Sequence, residues 1–83
     1  MQVQINQLCA DSGATLTVSG RTVPGALMGI YFWDRRSGNI SQMSYGNLLP
    51  PVAQAPSYLL AVNALRAFVR KESRALHLAP KEA

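Results

Sequence analysis

The residues from Ser57 to Leu78 constrain the fold more than any other stretch, because they form the one long segment with a sustained hydrophobic period. At about 100° per residue, Tyr58, Ala61, Val62, Leu65, Phe68, Val69, Ala75 and Leu76 fall on one side of a helix. Arg66, Arg70 and Arg74 follow one another at i, i+4 and i+8 on the other side, with Lys71, Asn63, Ser73 and His77 beside them. A helix with one apolar and one guanidinium face has to close over an apolar surface supplied by the rest of the chain. Ser57 behind Pro56 is placed to cap it, although Leu60 stands where Glu or Gln would complete a capping box.

The preceding residues alternate with the period of strands. Val3 and Ile5 point one way and Gln2, Gln4 and Asn6 the other, until the alternation slips at Leu8 and Cys9. Asp11-Ser12-Gly13 is turn chemistry, after which Ala14, Leu16 and Val18 alternate with Thr15, Thr17 and Ser19. Val23-Pro24-Gly25 makes a bend. Ala26 to Trp33 is then an unbroken apolar run, fit for a central strand covered on both faces or for one whose second face meets a partner. Asp34 to Asn39 is a polar loop with Arg35 and Arg36 at its tip, and Ile40 to Tyr45 resumes as a strand. Three prolines between Leu49 and Ser57 forbid helix there, so residues 47–56 are expected to be an extended connection whose leucines pack on the core.

The sum is a single α+β domain over residues 1–83. Strands fill 1–46, the proline-rich connection 47–56, the helix 57–78 and a frayed tail 79–83, so a small antiparallel sheet of about four strands packs against one C-terminal amphipathic helix. A chain of 83 residues buries only about 60–65% of its unfolded surface. With 48% hydrophobic and 14% charged residues it is too apolar for disorder, and it has apolar surface to spare for a partner or a second copy of itself. A homo-oligomer is accordingly one expectation.

Catalytic chemistry finds no support. Cys9, His77 and Asp11 or Asp34 are the only set that could be assembled into a nucleophile and base, and nothing in their spacing suggests it. One Cys and one His supply too few ligands for zinc, and Gly20, Gly25 and Gly29 match neither phosphate-binding nor dinucleotide spacing. No enzyme activity, metal or cofactor is expected. A lone cysteine, no basic leader at the N-terminus and no membrane-length apolar run fit a cytoplasmic protein, and membrane-surface binding would compete with the sheet for the same helix face.

What remains is binding. The formal charge is +4, and the cations cluster as Arg66, Arg70, Lys71 and Arg74 on the helix and Arg35 and Arg36 on the loop. With Tyr31 and Trp33 these are the candidate contact residues, since Arg, Tyr and Trp dominate interface hot spots. The expected function is non-enzymatic, stoichiometric contact with an acidic protein or nucleoprotein complex. Small motif-free proteins of this kind are often phage or mobile-element accessory proteins that inhibit a host macromolecular machine. The alternative is a basic nucleic-acid-binding protein that lays the arginine face along phosphates and stacks bases on the strand aromatics Tyr31, Trp33 and Tyr45.

Overall fold

The computed structural model describes residues 1–78 and, of their side chains, those of residues 1–76. The expected tail, 79–83, and the side chain of His77 lie outside this range. Strands β1 (Gln2–Cys9), β2 (Gly13–Ser19), β3 (Gly29–Asp34), β4 (Asn39–Ser44) and β5 (Asn47–Leu48) form an antiparallel meander. Strand β6 (Ala53–Gln54) returns to pair with β4, and helix α1 (Tyr58–Leu78) closes one face of the sheet.

The core follows from strand alternation. Val3 pairs with Val18, Leu16 with Tyr31, Ala14 with Trp33 and Trp33 with Ile40, so these residues share the helix side of the sheet, and all are buried. Ala61, Leu65 and Val69, one stripe of the helix, close over them. Small Ala14 opposite large Trp33 leaves the indole room, and its Nε1 donates to the Ala55 carbonyl at 2.8 Å. The Tyr31 hydroxyl donates to the Leu27 carbonyl at 2.7 Å, and burial pushes that phenol up to about 12. Tyr31 and Trp33 are therefore core residues, which corrects their expected place among the contact residues.

Three other expectations are revised. The slip in β1 is a bulge between Ile5 and Gln7, which brings Leu8 opposite Ala14 and so onto the helix side. The apolar run Ala26 to Trp33 divides into a 3-10 turn at Gly25–Leu27 and β3; Tyr31 and Trp33 point to the helix, while Ile30 points away and is exposed. The helix thus covers one face of the sheet, while on the other Phe32 is half-buried and Ser41 buried beside exposed Ile30. The proline connection, finally, is a broken edge strand along β4. Leu49 N–H donates to Gln42 O at 2.8 Å, Val52 N–H to Ile40 O at 2.8 Å and Ala55 N–H to Gly38 O at 2.9 Å. Pro50 and Pro51, which have no N–H to give, occupy the interruption. Ala55 is buried there and Val52 and Ala53 pack on the core, whereas Leu48 and Leu49 are exposed.

The helix starts where the sequence places its cap, with Leu60 N–H donating to Ser57 Oγ at 3.3 Å. It contacts β6 near its start and β1 and β2 further on, so it crosses the sheet diagonally. Among its described side chains, Val69 is the last buried one. Arg70 to Leu78, roughly 13 Å of helix, continue beyond the core and help to draw the molecule out to 49 Å along its long axis.

Candidate functional site

The expected cations occupy two separate places. Arg35 and Arg36 are exposed in the β3–β4 turn, which its own residues hold rigid. Ser37 Oγ donates to Asp34 Oδ2 at 2.7 Å, Gly38 N–H to Asp34 O at 2.7 Å and Asn39 N–H to Ser37 Oγ at 3.2 Å. The Ser37 hydroxyl, more than the backbone N–H groups and Arg36, holds the Asp34 carboxyl below its usual range. Gly38 has φ +77°, and a Cβ there would stand 2.7 Å from the Ala55 carbonyl oxygen, so only glycine fits. The Arg35 guanidinium lies 5.6 Å from the Trp33 ring centroid, within cation–π range.

The helix cations lie toward the other end of the sheet. Arg70, Lys71 and Arg74 are exposed, while Arg66 is half-buried and donates to Asn63 Oδ1 at 3.4 Å. Arg70 and Ser73 share a depression with Met1, Thr22 and Val23, at the corner of the sheet where β1 begins. Since β3 and β4 run between that end and the Arg35-Arg36 turn, the fold does not join the two clusters into one surface. Cys9 is half-buried at the end of β1, and among the described residues no three His, Cys, Asp or Glu side chains gather to hold a metal ion. No helix among them is long and apolar enough to cross a membrane.

A different surface comes into view on the uncovered face. Met43 pairs with Leu48, and continuing the β3–β4 register by one residue sets Ile30 beside Met43. Ile30, Met43 and Leu48 are 44%, 37% and 54% exposed, and together they form an apolar row across three strands on the side away from the helix. The row ends at the β4–β5 hairpin tip. There Tyr45 is fully exposed and has φ 51°, followed by Gly46 at φ 80°. Two positive φ values are what a two-residue type I′ hairpin needs, but the first is an unfavourable conformation for a bulky aromatic residue. The alternation of β4 points Met43 to this face, and Tyr45-Gly46-Asn47 carries a turn signal. The partner strand was hidden because two residues before a pair of prolines show no period.

No protein-family model, characterised protein or solved structure matches this chain.

Proposed function

We propose that this protein is a non-enzymatic binding module that acts by stoichiometric protein–protein contact, anchored on the β4–β5 hairpin and the apolar row behind it. The observation that carries this is Tyr45, fully exposed in a left-handed conformation at the end of the Ile30, Met43 and Leu48 row. A strained, solvated aromatic next to exposed aliphatic side chains has the make-up of an interface hot spot, where a ring enters a pocket and its neighbours exclude water. The +4 charge supports an acidic protein or nucleoprotein complex as the target, because distributed cations accelerate encounter even where they do not touch the anchor. Inhibition of a host macromolecular machine, in the manner of phage or mobile-element accessory proteins, is the activity we assign to such a module. The nucleic-acid alternative keeps its arginines and the exposed ring of Tyr45 but loses Tyr31 and Trp33 as stacking platforms, since both are enclosed in the core.

Affinity capture from a cell extract, with and without nuclease and eluted along a salt gradient, tests the proposal when run on the parent and on Tyr45→Ser with Leu48→Ser. The expected result is a discrete protein complex that survives nuclease and is lost in the double variant. Recovery of nucleic acid that elutes steeply with salt, unaffected by the double variant, would overturn it in favour of the alternative.

A further inference from the structure

We infer that the β1 edge and the overhanging end of the helix form a self-complementary surface whose occupant is a second copy of this chain. Strand β1 pairs with β2 on one side and, among the described residues, is an open edge of the sheet, the longer of the two. Exposed edges are ordinarily protected by lysine, proline or an inward-pointing charge. The strand reads Gln-Val-Gln-Ile-Asn-Gln-Leu-Cys and carries none of these. Its one protective irregularity is the bulge between Ile5 and Gln7, which leaves Gln2 to Ile5 in regular register and able to pair outward.

Among the described residues, two apolar features beside this edge lack a cover. The bulge places Leu8 on the helix side, yet Leu8 is 53% exposed, and on the overhang Leu76 is 54% exposed next to exposed Ala75. One operation covers both. A two-fold axis normal to the sheet pairs the β1 strands of two copies antiparallel and keeps both helices on the same side of the joined sheet. The Met1 corner of one copy then lies toward the Leu8 end of the other. Because the helix runs diagonally and passes the Met1 corner near Arg70, its overhang extends over that end of the second copy.

Charge complements the same arrangement. Asp11 is exposed in the turn that follows β1, and the two-fold brings it toward Arg70 and Arg74 on the overhang of the other copy. The two cationic overhangs do not oppose each other, because they sit at opposite ends of the paired strands. An eight-residue strand separates them by roughly 25 Å, well beyond the screening length of about 8 Å at physiological salt. The hairpin residues Tyr45, Met43 and Leu48 take no part, so this pairing stands or falls independently of the proposed partner site.

Light scattering and sedimentation of the full chain over a concentration series test the inference. The expected species at high concentration has twice the 9.0 kDa chain mass. Gln4→Lys, which sets lysines against each other across the paired edge, and Asp11→Arg are each expected to raise the dissociation constant about tenfold or more. Adding Arg70→Asp and Arg74→Asp to Asp11→Arg should restore association, while Tyr45→Ser should leave it unchanged. Unfolding midpoints of the same variants establish that each is folded. A monomer at every concentration, a dimer that neither Gln4→Lys nor Asp11→Arg weakens, or one that Tyr45→Ser dissociates would overturn the inference.

Discussion

The two faces of the sheet are built from the same alternating strands, but only one is closed by the helix. On the helix side Ala14, Leu16, Val18, Tyr31, Trp33 and Ile40 are enclosed beneath Ala61, Leu65 and Val69. On the other side Ile30, Met43 and Leu48 stand in solvent. Residues one position apart in β3 thus differ: Tyr31 holds the fold together, and its neighbour Ile30 stands exposed on the other face. The difference teaches that aromatic content alone does not locate a binding surface. Of the three aromatics the sequence offers for base stacking, Tyr31 and Trp33 are enclosed in the core and Tyr45 stands in solvent.

The comparison is broken most forcefully from the helix side. Leu65→Ala removes a fully buried side chain over the sheet and should cost about 2–5 kcal/mol in urea unfolding. Phe68→Ala, at a half-buried site on the same helix, should cost distinctly less. A near-zero value for Leu65 would mean that the helix does not close the core. Next in size is Gly38→Ala, where the left-handed φ and the close Ala55 carbonyl predict a loss of about 1–3 kcal/mol, measured in the same way. On the open face the expectation reverses. Ile30→Ser, Met43→Ser and Leu48→Ser should each change stability by no more than about 0.5 kcal/mol while weakening partner retention. A large destabilisation from any of them would show that the open face is structural.

Titration gives two further tests. Tyr31 has its pKa raised from 10.0 to about 12 by burial, so its contribution is complete below pH 10 and is lost as pH rises toward 12. Urea midpoints across that window should fall less in Tyr31→Phe than in the parent. Asp34 has the opposite sign. Its lowered pKa means that the turn is supported above the usual carboxylate range and loosens as pH falls through the folded value, which Ser37→Ala should move back toward normal in an NMR titration.

Much of this architecture was legible because long periods are robust. The helix announces itself through Ala61, Leu65 and Val69, and β2 through Ala14, Leu16 and Val18, since each repeats one spacing several times. The run Ala26 to Trp33 was harder, because a segment with no polar residue has no pattern from which to choose an inward face. That choice is made across strands, where Ala14 leaves space for the indole of Trp33. The β5 and β6 pairings were invisible for a related reason: each is two residues long, and the prolines between them argue against a strand although the backbone around them still pairs with β4. Of the site, the cations were found by composition, but their separation to opposite ends of the sheet depends on the path of β3 and β4. Tyr45 was among the stacking aromatics, but its position at a hairpin tip follows only once β5 is recognised.

The most direct test of the central claim, that the fold is held by the covered face and recognition belongs to the open one, is photo-crosslinking in nuclease-treated extract. A photoreactive residue replaces Tyr45 at the hairpin tip in one variant and Arg36 at the far end of β4 in another. The account predicts a discrete protein adduct from position 45 and none from position 36. An adduct from position 36 with none from position 45 would contradict it and return recognition to the arginine turn.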